Sequence, residues 1–331
     1  MMIDQWNRRS FLNATGALSL AGAAPVLRAA EPALETTRIR IVHFPTSCSA
    51  NMYVAEALLK AEGFTEVQFV AADNLMGEQV ADGRADLVQN DGAAFMLGLD
   101  AGLPLVVVAG IHSGCWELIA QKSIRSVRDL KGKTVAAVPR SSHRAFVTVM
   151  SAAAGLDPNK DIVWHEHAIG DSMRQFEQGT IDAFMGFSPE PQILRSKNLG
   201  HTLLSTLTDP PWSQYFCCLM GTNRDFLRRN PIATKRALRA LMKASDLCAS
   251  QPELATRALM ARGFGKDFEF ALRSVKDIGY RKWRDYSAED TMRYWGLRLR
   301  EFGITKSDPK KLLAQGTDWR FFDQLKKEIK A

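Results

Sequence analysis

The chain has 331 residues and a mass of 36.8 kDa, more than one small core needs and enough for two domains. Hydrophobic residues make up 46% and charged residues 24%, which excludes a disordered or collagen-like chain, and no apolar run reaches the ~18 residues of a spanning helix. Five scattered cysteines without a Cys-x-x-Cys pair exclude a disulfide-built scaffold and structural zinc, and the formal charge of +7 is a mild basic excess.

The first thirty residues read as an address. Arg8-Arg9 precede Phe11-Leu12, and a weakly apolar stretch from Ala14 to Leu27 ends at Arg28-Ala29-Ala30. That stretch is too short to span a bilayer and too rich in Ala, Gly and Ser to pack as a core helix. The pattern resembles a twin-arginine export signal cleaved after Ala29 or Ala30, with no nearby Cys to carry a lipid, since the first is Cys48. Losing Arg8, Arg9, Arg28 and Asp4 with it lowers the formal charge from +7 to +5, which weakens any nucleic-acid reading.

Strands and helices then alternate. Ile39–Phe44, Val67–Val70 and Asp86–Gln89 read as strands, separated by helices over Ala50–Ala61 and Met76–Asp82 that end at Gly63 and Gly83. The same order recurs about a hundred residues on. Strands at Thr134–Val138, Ile162–His165 and Ala183–Phe187 alternate with helices over Arg144–Ala154 and Ser172–Gln178, ended by Gly155 and Gly179. Leu105–Gly110 and Glu117–Gln121 form strands between the two units, and Tyr215–Gly221 forms one after them. The rest is helical: Ala237, Leu238, Leu241, Ala244 and Cys248 share one face, and Met292, Trp295, Leu299 and Phe302 another. We therefore expect an α/β chain of two lobes, each a mostly parallel sheet with helices on both faces, joined by a hinge of two strands. Lobe 1 takes residues 31–117 and 221–331, and lobe 2 takes 118–220.

Ligands of open parallel sheets bind beyond the carboxyl ends of the strands. That rule selects Thr46 and Ser47 after the first strand, Asn90 and Asp91 after the third, and His112 and Trp116 after Leu105–Gly110. In the second lobe it selects Arg140, Ser141, Ser142 and His143, then Glu190 between Pro189 and Pro191. Arg140 with the hydroxyls and amides opening the next helix offers an anion seat, although Ser141 and Ser142 also serve as plain helix caps. Glu190 and Asp91 offer acidic groups, and Trp116, Trp212 and Tyr215 offer stacking walls. Such a cleft favours a small organic solute with two polar ends, because a bare inorganic anion would leave Glu190 and Asp91 buried and unpaired. His165 and His167 are expected to point apart, which argues against a metal site. No Gly-x-Ser-x-Gly elbow, phosphate loop or Gly-x-Gly-x-x-Gly turn is present. Cys217 or Cys218 approaches Cys115 if the two crossing strands pair antiparallel; small buried cysteines also commonly remain thiols, and both readings stay open here.

The leader, the two α/β units and several short runs together carry a resemblance. Ser123–Thr134 (SIRSVRDLKGKT), Gly155-Leu156-Asp157-Pro158, Gly179–Phe184 and Gly186–Pro191 resemble the periplasmic solute-binding proteins of ABC importers. The similar branch is the nitrate/sulfonate/taurine family, which includes binders of thiamine-pyrimidine precursors, and the similarity covers most of Arg38–Ala331. What the resemblance implies is a type II clamp that closes on a small solute and delivers it to an inner-membrane permease. It further implies a periplasmic monomer without cofactor, metal, catalysis or nucleic-acid partner. The alternative on the same fold is an iron-dependent pyrimidine-precursor synthase with a run of cysteines after the second lobe; here only Cys217-Cys218 stands near that place.

Overall fold

The computed structural model describes residues 31–329 apart from 45, 74, 75, 140, 169, 265 and 266. The leader and Arg140 therefore lie outside the described residues. Ten strands alternate with thirteen helices among them. The first sheet is built from β1 (Arg38–His43), β2 (Glu66–Ala71), β3 (Leu87–Asn90), β4 (Leu105–His112) and β10 (Cys218–Asn223). The second holds β5 (Trp116–Ala120), β6 (Thr134–Ala137), β7 (Val163–Glu166), β8 (Ala183–Phe187) and β9 (His201–Ser205). Helices α1 (Ala50–Ala61), α2 (Glu78–Ala81) and α3 (Gly92–Asp100) belong to the first unit, and α4 (Ser142–Ala153), α5 (Ser172–Glu177) and α6 (Glu190–Ser196) to the second. The tail contributes α7 (Arg224–Arg229), α8 (Pro231–Ser250), α9 (Pro252–Met260), α10 (Phe268–Lys276), α11 (Ala288–Glu301), α12 (Pro309–Gly316) and α13 (Arg320–Glu328).

The strand orders are the same pattern written twice, β2-β1-β3-β10-β4 and β7-β6-β8-β5-β9. In the first sheet β1 lies parallel to β2 and β3, while β10 runs antiparallel between β3 and β4. In the second, β6 lies parallel to β7 and β8, while β5 runs antiparallel between β8 and β9. Each sheet thus takes its one reversed strand from the chain that has just left the other sheet. β4 is buried at all eight residues, as a continuous apolar run covered on both faces should be. The tail returns to the first sheet: α8 packs on α1 and β4, α13 on β4, and α11 on α3.

The connection between the sheets differs from a pair of strands. The chain crosses at 113–115 and again at 206–217, so Trp116 and Glu117 already belong to the second sheet and Cys218–Met220 to the first. The boundaries at 117 and 220 shift accordingly. The returning segment is irregular, with a 3-10 turn at Trp212–Gln214, and Tyr215 precedes the strand instead of opening it. Gly114, at φ +61°, lets the two crossings touch: a Cβ there would lie 2.5 Å from the Leu207 side chain.

Candidate functional site

The ends of the strands meet around a half-open cavity of about 80 Å³ between the two sheets. Phe44, Thr46, Cys48, Ser49 and Met52 reach it from the turn after β1 and the start of α1. Gln89, Asn90 and Asp91 reach it from the end of β3, and Cys218 from the start of β10. The opposite wall comes from Cys115 and Trp116 at the start of β5, Ser142 and His143 in the first turn of α4, and Phe187 at the end of β8.

Several of the polar groups are held by hydrogen bonds, whereas His143 Nδ1 is buried without a partner among the described residues. Gln89 Nε2 donates to the Cys48 carbonyl at 3.0 Å, and its Oε1 accepts from Asn51 Nδ2 at 3.0 Å. Asp91 caps α3, accepting from the Ala94 amide at 2.8 Å, and Ser142 lines the opposite wall of the cavity. Burial pushes this carboxyl up to about 6, with the Ala94 amide pulling the other way. Burial lowers His143 to about 4, so its ring is neutral at physiological pH. Trp116 packs edge-on against His143 at 4.8 Å and against Phe187 at 5.1 Å, forming an aromatic corner. Around the rim the sheets touch again: the Ser47 amide donates to the Ser188 carbonyl at 3.3 Å, and Phe146 lies 4.3 Å from Trp295. Among the described residues, Asp91 is the one acidic side chain lining the cavity, and no Lys or Arg does.

Of the residues expected from sequence, Thr46, Asn90, Asp91, Trp116, Ser142 and His143 come together here. The others go elsewhere. Ser47 is buried away from this cavity, its carbonyl accepting from the Tyr280 hydroxyl at 3.0 Å. Ser141 donates to the Val138 carbonyl at 2.5 Å instead of capping α4. His112 is fully buried behind Gln89, 3.3 Å from its Nε2, and its Nδ1 lies 3.4 Å from the Ser113 carbonyl. Trp212 and Tyr215 line a separate pocket of about 10 Å³, where Tyr215 stacks on Tyr294 at 4.4 Å. Glu190 sits on the wrong face. Its carboxylate accepts from the Phe187 amide at 3.3 Å and lies beside Gly186, whose ladder partner is Glu117, while Phe187 and Trp116 take the cavity face. Arg140, the proposed anion seat, lies outside the described residues. His165 and His167 also differ from expectation. Being two apart on an extended segment they share a face, and their rings stack at 6.3 Å.

Sequence reasoning missed Gln89, Met52, Phe44, Phe187 and three cysteines of the lining. Gln89 had a signal, a lone amide in a buried strand; the aromatic strand ends had none that core residues lack. The cysteines also allow a fit test for iron. A ring nitrogen of His112 and the sulfurs of Cys115, Cys217 and Cys218 lie within 4.8 Å of one another. Cys115 and Cys217, however, form a disulfide with a Cα separation of 6.3 Å, and disulfide sulfurs do not serve as thiolate ligands. His112 and Cys218 are left, too few donors for the metal of a synthase.

Comparison with known proteins places this geometry. A bicarbonate-binding protein, CmpA of Synechococcus elongatus, is 27% identical over 38% of this chain and 26% of its own length. The nitrate/nitrite binding protein NrtA of a Nostoc species is 21% identical over 70% of this chain and 58% of its own. The chain thus spans about a quarter to three fifths of the length of these curated relatives. The crystal structure of the periplasmic nitrate-binding protein NrtA from Synechocystis superposes with a TM-score of 0.78 at 16% identity, covering 90% of both chains. The fold is therefore that of a periplasmic binding protein. The family model described as NMT1/THI5 like matches residues 48–255, from the turn that opens the cavity to the tail helix behind the first sheet. The chain belongs to the NMT1/THI5-like family.

Proposed function

We propose that this chain is the exported solute-binding component of an ABC importer. It captures a small organic solute between its two sheets and hands it to a permease of the inner membrane, without a chemical step. The observation that carries this reading is a cavity walled by both sheets, with Gln89, Asn90 and Asp91 reaching it from one and Trp116, Ser142 and His143 from the other. A clamp of this kind closes because the solute contacts both halves and shifts the population toward the closed form. The names of CmpA and NrtA, a bicarbonate-binding and a nitrate/nitrite-binding protein, support the class of activity. Residues 1–30, read as a twin-arginine leader, support a periplasmic location.

The walls argue for a different solute from those names. Phe44, Met52, Trp116 and Phe187 present apolar surface, and Asp91 would face an incoming oxyanion with like charge. A flat or apolar middle with hydrogen-bonding ends suits Trp116 and His143 on one side and Gln89 and Asn90 on the other. The test is calorimetry and thermal shift against amino-pyrimidines, small aromatic acids, sulfonates, nitrate and bicarbonate. A cognate solute at a hundred times its Kd should stabilise the protein by about 2.7 kcal/mol. Tight nitrate or bicarbonate binding would overturn the solute class, and turnover of a bound compound would overturn the function.

A further inference from the structure

We propose that the inner wall of the cavity is a thiol–disulfide exchange site, in which the bridge from Cys115 passes between Cys217 and Cys218. The Cys115, Cys217 and Cys218 sulfurs all lie within 4.8 Å of one another, so the thiol of Cys218 stands beside both sulfurs of the bridge. Consecutive residues of an extended segment point to opposite sides. Cys217 accordingly faces the small aromatic pocket, whereas Cys218 faces the main cavity beside Cys115. Little sheet has to move for the transfer. Cys218 is the first residue of β10, a register irregularity follows it at Leu219, and the Cys217 amide is tied only to the His112 carbonyl, at 2.9 Å, in the backbone pairing.

The step balances internally. The Cys218 thiolate attacks Cys115 Sγ, the bond to Cys217 breaks, and Cys217 leaves as a thiolate that takes up the proton Cys218 lost. No oxidant or reductant is consumed. The titratable groups facing Cys218 are Cys48, Asp91, His112 and Tyr280. Contact with Cys48, burial and the Asp91 charge hold the Cys218 thiol above its usual range, so exchange is slow at neutral pH and accelerates in alkali. His112, lowered to about 4 by burial, stays neutral throughout and adds no competing charge. The transfer moves a free thiol from the main cavity to the aromatic pocket and so changes what a bound solute meets.

The test counts thiols after acid quenching and alkylation of denatured protein, and maps the bridge by fragmentation between residues 217 and 218. The wild-type chain carries three free thiols, Cys48, Cys218 and Cys248. Cys217→Ser leaves four cysteines, of which two remain free if Cys218 takes over the bridge and all four if it does not. Wild-type protein held in alkali should yield both linkages in place of one. Four free thiols in Cys217→Ser, or the Cys217 linkage alone after alkaline incubation, overturns the proposal. In Cys115→Ser four free thiols are expected, and two there, with the bridge mapped between Cys218 and Cys48, would overturn it as well.

Discussion

A carboxylate 3% exposed and bonded by the first turn of α3, Asp91 is where proton binding and packing meet. Its folded value near 6 lies above the ordinary carboxylate value, so between the two the folded chain holds a proton that the unfolded chain releases. Stability is then fully present below the ordinary value and falls as pH rises through about 6, by up to about 3 kcal/mol. Asp91→Asn keeps an oxygen acceptor for the Ala94 amide but removes the titration. Denaturant unfolding from about pH 4 to pH 7 should show the wild-type slope flattened in the variant. An unchanged slope would mean that Asp91 titrates as an ordinary surface acid. Asp91 was legible from sequence because it follows the carboxyl end of a parallel strand, where ligands of open sheets bind. Glu190 was misread because its face depends on the parity of β8, and Phe187, not Gly186, takes the cavity side.

The regular elements were the easiest part to read. The helix Ala50–Ala61 has the expected bounds, and the strands at Ile39, Val67, Thr134 and Ala183 begin within one residue of expectation, because apolar runs between glycine stops leave few alternatives. β9 was missed: His201–Ser205 is short, at the sheet edge and mostly half-buried, so its side chains give no apolar signature. α3 was missed for the opposite reason, since Gly92–Asp100 is too apolar and glycine-rich to show a face. That helix makes a measurable demand on the strand beneath it. A Cβ on Gly221, in the reversed strand β10, would lie 2.3 Å from Phe95 of α3, against a ladder fixed on both sides by Val88 and Val107. Gly221→Ala should cost about 1–3 kcal/mol by overpacking, read as a lower denaturant midpoint. Adding Phe95→Leu should return part of the loss, and strict additivity of the two changes would show that they do not share this contact.

At the scale of the molecule, the Cys115–Cys217 bridge encloses the whole second sheet. The sequence separation is 102, and β5 through β9 fall inside the loop it closes. The unfolded chain therefore keeps its two crossings together even when no sheet remains. Removing a restraint on a loop of this length is worth up to about 4.7 kcal/mol of chain entropy, and native bridges commonly give 2–5 kcal/mol. Cys115→Ser is the informative variant, because Cys218 stands ready to replace Cys217 but nothing stands in for Cys115. We expect Cys115→Ser to lose about 2–5 kcal/mol in denaturant unfolding, with a steeper m-value as the freed unfolded chain exposes more surface. Cys217→Ser should lose much less, since a bridge to Cys218 closes nearly the same loop. Equal losses in the two variants would place the stabilisation in the native contacts of Cys217. A loss under about 1 kcal/mol in Cys115→Ser would mean that the unfolded chain keeps its crossings together without the bridge.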